Sequence, residues 1–330
     1  MKRRRHWLLA VLALALCWVS PARADFPDRT VHFVVPYAPG GLTDLLARIL
    51  AQKLGEKWGQ SVVVENRPGG NGTVAEGLVA RAAPDGYTVI VVLTAHTVAP
   101  SDSQYKLSYD PIKGFEPIMR LGSTPELLVV NPNVLPVSSV KELIAVAKSR
   151  PKAINFGSAG TYTPGFLNMA LFMQATGTEM VNVSFQGSGP AFTSLLGGEV
   201  QLTFATMAEA LAQSKAGKLR ALAVSGSRRS PLAPEIPTVL EAFGAASPEI
   251  AELLGAETAW YGALTTGGTP REVVARLHDD MAEALRSPDV QAKLAAQSFQ
   301  VDGGPSSEFA AFISRDIAKW TELRKTGVIH

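Results

Sequence analysis

Residues 31–54 read VHFVVPYAPGGLTDLLARILAQKL. An apolar run of strand character, Val31 to Val35, halts at Pro36. Gly40 and Gly41 follow, and then Leu46, Ile49, Leu50 and Leu54 recur at helical spacing. The stretch predicts a strand feeding a helix through a loop with few side chains. The first N–H groups of a helix lack internal partners, and the helix dipole leaves partial positive charge there. Such a loop is a ready seat for an anion.

The pattern continues outward. SVVVEN (61–66) and TVIVVL (88–93) read as strands, with a helical TVAEGLVARAA (73–83) between them. A second series starts near Glu126. It contains ELLVVNP, a helix VSSVKELIAVAKS with Ser138 or Ser139 as its cap, the strand AINFGSAG, and a helix that opens at Pro164. MVNVSF, GPAFTSLLGG, VQLTFAT, AEALAQSKAG and LRALAVSG extend the alternation, SRRSPLAPEIP reads as a loop, and the tail returns to helices. Repeated βα units predict an α/β fold with parallel strands and helices on the sheet faces. VVPYAPGGLTDLLARIL and INFGSAGTYTPGFLNMALF share the order strand, glycine loop, helix. Two lobes that each aim such a loop outward leave a cleft between them, because open α/β sheets bind ligands at the carboxyl ends of their strands.

Three loops have the anion-binding form: APGGLTD, GSAGTYT and FQGSGP. None carries Lys or Arg, and the first holds Asp44, so a phosphate finds no compensating charge there. A carboxylate held by N–H groups and by the hydroxyls of Thr43, Ser158, Thr161 and Thr163 fits better. Asp44 has two readings, a ligand contact or an acid in the first helical turn that favours the dipole.

The first 24 residues, MKRRRHWLLAVLALALCWVSPARA, read as a secretory leader with a basic start, a 13-residue apolar core and an A-x-A site that predicts cleavage after Ala24. The leader holds five of the 31 basic residues and no acid, so the remainder carries 26 basic against 29 acidic residues, a net charge of −3. That balance gives no basic face for nucleic acid. Cys17, the only cysteine, lies in the leader, and Leu16 before it does not suit a lipoprotein cut. The mature chain then has no disulfide, no Cys-based metal site and no thiol nucleophile.

Enzyme signatures are lacking. H-E-x-x-H, G-x-x-x-x-G-K-[ST] and G-x-G-x-x-G do not occur, and Ser158 and Ser188 have no glycine two residues before them. His32 and His278 read as structural, whereas His96, at the carboxyl end of a strand, is a candidate for the cleft wall.

The chain resembles the extracytoplasmic solute-binding receptors of tripartite tricarboxylate transporters, the Bug-type proteins. The resemblance covers nearly all of the mature chain. It is carried in order by VVPYAPGGLTDLLARILAQKL, GQSVVVENRPGGNGTVAEGLVARAAPDGYT, YDPIKGFEPI, VKELIAVAKSRP, GPAFTSLLGGEV, GKLRALAVSGSRRS, IPTVLEAFG and GGTP. It implies the two-lobed type II periplasmic-binding-protein fold. Lobe 1 is then 25–126 plus 257–330, and lobe 2 is 127–256, after the leader 1–24. It also implies that the loops at Pro39–Asp44 and Ser158–Thr163 together hold a carboxylate.

Gly40, Gly41, Thr43 and Asp44 from lobe 1, with Ser158, Gly160, Thr161 and Thr163 from lobe 2, are the expected ligand contacts. Tyr37, Thr94, His96, Tyr162, Gln186 and Thr206 are second-rank candidates for the cleft lining. The chain departs from the family at Tyr162 and Phe166, where a small residue and His are common, at Ser184–Gly187 in place of Pro-Tyr-Lys-Gly, and at Ala205–Thr206. AASPEIAELLGAET is longer than usual there. Those departures predict a less polar distal pocket and a ligand with an aromatic or longer apolar body. The function implied is a periplasmic, monomeric, non-enzymatic receptor without metal or cofactor. It delivers an organic acid to a membrane permease. A sensory protein read by a membrane sensor kinase, and a periplasmic enzyme using His96, are the alternatives.

Overall fold

A computed structural model describes residues 26–103, 106–244, 247–325 and 327. The leader, Ala24 and Cys17 lie outside the described residues.

The elements run β1 (Val31–Val35), α1 (Leu42–Trp58), β2 (Val62–Asn66), α2 (Thr73–Val79), β3 (Thr88–Leu93), α3 (Ala95–Val98) and β4 (Phe115–Ser123). The chain then crosses to β5 (Glu126–Val130), α4 (Val140–Ser149), β6 (Asn155–Ser158), α5 (Pro164–Thr176), β7 (Val181–Ser184), α6 (Ser188–Gly197), β8 (Leu202–Thr206), α7 (Met207–Lys215), β9 (Arg220–Val224), α8 (Val239–Phe243) and α9 (Pro248–Gly255). It returns through β10 (Trp260–Thr266), α10 (Arg271–Arg286), α11 (Pro288–Ala295), β11 (Gln300–Val301) and α12 (Ser306–Lys325).

Two sheets result, ordered β11-β4-β10-β3-β1-β2 and β7-β6-β8-β5-β9. Their βα units pair in parallel, β1 with β2 and β3, and β6 with β7 and β8. The expectation of parallel strands holds only for those units. β10 runs antiparallel to β3 and β4, β11 to β4, and β5 to β8 and β9. The reading above gave no strand at β4, β10 or β11. β4 carries Pro117, a residue that weakens a strand reading, and its register with β10 shifts twice. β10 is buried along its whole length, so it shows no alternation.

The alternation that does exist assigns each face. Val31, Phe33 and Val35 of β1 pack with Leu42, Leu46 and Leu50 of α1 and with Leu277 and Met281 of α10. Val34, pointing the other way, joins Ile90, Val92 and Leu264 under Phe309 and Ile313 of α12. Covering both faces explains why these strands are apolar nearly throughout, and each fully buried Val or Leu contributes about 1.5–3 kcal/mol. In the second lobe Ser139 caps α4, accepting from the Glu142 amide at 3.2 Å. The long segment before β10 forms α9, whose Leu254 enters the second core beside Phe172 of α5.

Residues 123–126 and 255–260 are the two crossings between the sheets. They are joined side by side, since the Thr124 amide donates to the Ala259 carbonyl at 3.0 Å. The glycine-bearing βα loops of the two lobes open into the gap between them.

Candidate functional site

Between the lobes lies a cavity of about 40 Å³. Lobe 1 walls it with Tyr37, Gly41, Thr43 and Asp44, together with Leu93 and Tyr261. Lobe 2, whose first strand opens at Glu126 rather than after it, supplies that residue with Thr163, Gly165, Ser188, Thr206 and Glu209. No Lys, Arg or His is among the lining residues.

Four helices begin at this cavity: α1 after Gly41, α5 after Thr163, α6 after Gly187 and α7 after Thr206. None of these four N-caps bonds a backbone N–H of its own helix through its side chain, whereas Ser139, Thr238 and Ser247 do so on helices that start elsewhere. The first N–H groups of an uncapped helix remain available as donors. Four such ends, two lobes and no cation make a positive potential from backbone alone, suited to a carboxylate.

The glycines have a steric role as well. A Cβ on Gly41 would sit 2.6 Å from the Ser188 hydroxyl of the opposite lobe. At Gly160, with φ of +127°, a Cβ would lie 2.7 Å from Oδ1 of Asn71. The lobes meet at these points: the Ala38 amide donates to the Gln186 carbonyl at 2.8 Å, and Asn71 Nδ2 donates to Thr161 Oγ1 at 3.3 Å.

Asp44 is buried and fully engaged. Its carboxylate accepts from Gly40 N at 3.2 Å, Arg48 Nε at 3.0 Å and Asn66 Nδ2 at 3.0 Å. Burial alone would raise its pKa, but the bonds from Arg48, Asn66 and Gly40 outweigh that and hold it below the usual carboxylate range. Asp44 thus fixes the glycine loop on the start of α1. Of the two readings for Asp44, the ligand contact is left with few free lone pairs.

The hydroxyls expected to face the ligand are partly committed within their own loop. Thr163 Oγ1 donates to the Gly160 carbonyl at 2.6 Å, and Ser158 Oγ accepts from Gly160 N at 3.4 Å. Tyr37, Gly41, Thr43, Asp44, Thr163 and Thr206 line the cavity, and Gly40 lines an adjoining groove with Glu209. Ser158, Gly160 and Thr161 stand behind the lining as parts of the loop.

Four second-rank candidates are placed elsewhere. His96 is sealed inside lobe 1, its Nδ1 2.8 Å from Glu76 Oε2 and its ring edge-on to Phe115. The apolar sheet face beneath α3 draws it inward. Thr94 is fully buried and donates to the Thr258 carbonyl, which joins β3 to the second crossing. Gln186 reaches the other lobe by its carbonyl, leaving an exposed residue. Tyr162 turns away from the cavity altogether. It has φ of +75° and inserts into the core of lobe 1, where its hydroxyl donates to Asp102.

The model of the tripartite tricarboxylate transporter family receptor matches residues 46–327. This chain belongs to that family. Protein BugT of Bordetella pertussis is 32% identical over 326 residues, 97% of this chain and 97% of that one. The structure of R. palustris Rpa4515 with adipate superposes at a TM-score of 0.83 with 34% identity, covering 92% of this chain and 98% of that one. MatC from Rhodopseudomonas palustris with bound malate gives 0.82 and 30%, covering 90% and 99%. The type II periplasmic-binding-protein fold expected of the family is the one found.

Within this family member, the placement of Tyr162 removes one basis for an apolar distal pocket. Phe166 weakens another, since its partly buried ring packs 6.3 Å from Phe156 of lobe 2, whereas the departures at Ser184–Gly187 and Ala205–Thr206 leave the lining without a lysine. The sequence reading missed Glu126, Glu209, Ser188 and Tyr261. For Glu126 a signal exists: an acid opening the wholly apolar run ELLVV, at the first residue after a crossing. Burial pushes its carboxyl up to about 8, against a weaker downward pull from Asn168. Burial also raises Glu209, opposed by its bond from Thr206.

Proposed function

We propose that this family member is a periplasmic receptor that closes its two lobes around a small organic acid and presents the closed form to a membrane permease. The observation that carries the proposal is the convergence of four uncapped helix N-termini on one cation-free cavity between hinged lobes. Backbone dipoles then hold the carboxylate, and lobe closure removes it from water, which strengthens each of those bonds. The direct bonds from Ala38 to Gln186 and from Asn71 to Thr161 complete the closed form. Both lobes wall the cavity, so entry of an acid requires the lobes to separate about the paired crossings.

The adipate and malate bound by the two related proteins favour an acyclic dicarboxylate as the ligand class. Tyr162 is turned into the core of lobe 1, so it offers no face to a ring-bearing acid. No bond is made or broken in this reading. Export through the leader and cleavage after Ala24 place the receptor where a permease can meet it.

The test is thermal unfolding of residues 25–330, refolded to strip carried-over ligand, against C4 to C6 dicarboxylates, citrate, benzoate and amino acids. A true ligand at about 100 times its dissociation constant adds roughly 2.7 kcal/mol, a shift of several degrees. Dicarboxylates are expected to give that shift and benzoate none. Silence across all carboxylates sinks the proposal.

A further inference from the structure

Glu126 is 6% exposed and lines the cavity. Its Oε2 accepts from Asn168 Nδ2 at 2.8 Å, and its own amide donates to Ser225 Oγ at 2.9 Å. The Asn168 amide is oriented from the hinge, because Thr258 Oγ1 donates to Asn168 Oδ1 at 2.8 Å. Thr258 lies in the second crossing and accepts, through its carbonyl, from Thr94 of lobe 1. Oε2 therefore faces a fixed donor. Among the described residues Oε1 has no protein partner, and no cation lines the cavity to neutralise the group.

An ionised carboxylate so placed would have one neutral donor and no counter-charge, an expensive arrangement. The ionisable groups facing the cavity from the neighbouring elements deepen the cost. They are Asp44 on α1, Glu209 on α7, Tyr37 after β1 and Tyr261 on β10, all acids. Asp44 is held ionised with Arg48 as its partner. Tyr261 is raised by burial and further by Glu126. Burial likewise keeps the Glu126 carboxyl neutral up to about pH 8.

We propose that Glu126 carries its proton on Oε1 and donates it to the far carboxylate of the bound diacid. Glu126 thereby selects an acid ending in an acceptor over one of equal length ending in an ammonium group. The near carboxylate is taken by the helix termini and the far one by this neutral acid, so a dianion is held without any cationic side chain. The inference rests on the receptor reading above and adds a specificity determinant to it.

The experiment is calorimetric titration of the mature chain with adipate from pH 5.5 to 9.5. It is run on the wild type, Glu126→Gln and Glu126→Leu, with 6-aminohexanoate as the length-matched probe. Wild-type affinity for adipate is expected to fall by up to tenfold per pH unit above about pH 8. Glu126→Gln, whose amide is a weaker donor, binds several-fold more weakly at pH 6.5 but loses that fall. Glu126→Leu loses at least tenfold at pH 6.5. 6-Aminohexanoate binds wild type at least tenfold more weakly than adipate, a comparison that needs no variant to fold. An unchanged alkaline fall in Glu126→Gln, or 6-aminohexanoate matching adipate, overturns this inference while leaving the receptor intact. Failure of every dicarboxylate to bind wild type overturns both.

Discussion

Tyr162 of lobe 2 donates its phenolic hydrogen to Oδ2 of Asp102 in lobe 1, 2.5 Å away, a contact that ties the two lobes together away from the cavity. Arg324 of α12 completes the contact, 3.5 Å from the same oxygen and 5.5 Å from the tyrosine ring centre. A hydrogen bond to a charged partner contributes about 1.5–3 kcal/mol, and this one exists only when the lobes are together. Tyr162→Phe is expected to weaken dicarboxylate binding by about tenfold, the equivalent of about 1.4 kcal/mol. Small-angle scattering at a fixed subsaturating ligand concentration should show a larger open fraction. An unchanged dissociation constant would mean that the contact adds nothing to closure.

Gly41 meets Ser188 across the cavity between the lobes. An alanine there displaces a hydroxyl that is free to rotate, so Gly41→Ala should weaken binding only modestly. A valine fills the space that the rotated hydroxyl needs. Gly41→Val should cost about tenfold or more in affinity, with about 1 kcal/mol of stability lost at the helix cap. Equal affinities for the two variants would remove the lobe-to-lobe role given to this glycine.

Glu126 makes stability depend on pH in a definite direction. Its folded pKa, about 8, lies above the ordinary glutamate value of 4.5. The bound proton therefore favours the folded state fully below about pH 4.5, and that advantage is lost as pH rises to about 8. Within that window the loss approaches at most about 1.4 kcal/mol per pH unit. Thermal unfolding of wild type and Glu126→Gln should give midpoints that diverge with rising pH, the variant being relatively more stable at pH 8 than at pH 4. A constant difference across the range would show that Glu126 titrates normally.

His96 offers the converse test. It packs against Phe115 and bonds Glu76, which also accepts from the Tyr109 hydroxyl at 2.7 Å. Replacing it by alanine leaves a void beside a buried acid, a loss of about 2–4 kcal/mol. His96→Ala should lower the melting temperature and leave ligand affinity in the folded protein unchanged. Loss of affinity at full folding would return His96 to the site.

The legible part of this molecule was its local part. Gly40–Gly41 before Leu46, Ile49 and Leu50, and Pro164 opening α5, are patterns within one turn or one strand, and the chain folds as they read. What stayed hidden depends on partners far away in sequence. Tyr162 looked like cleft lining until Asp102, 60 residues earlier, claimed its hydroxyl. His96 had a strand-end position that suits a site, yet Glu76 and Phe115 hold it inside. β10 was missed because a strand buried along its whole length has no period to detect. Glu126 was read only as the start of the second series. Its chemistry comes from Asn168 and from the absence of cations around it, and neither is visible at its own position.

The position of β10 also dictates an order of assembly. It lies between β3 and β4, which do not pair with each other, and the other neighbour of β4 is β11. As the chain emerges amino end first, β4 has no partner until residue 260 arrives. By then the whole of lobe 2, whose strands end at Val224, has been delivered. Lobe 2 can close early as a contiguous insert, while the earlier-made lobe waits with bare strand edges of the kind that recruit other chains. A chain cut short before Trp260 should therefore be aggregation-prone through its N-terminal third, although every residue of that third is present.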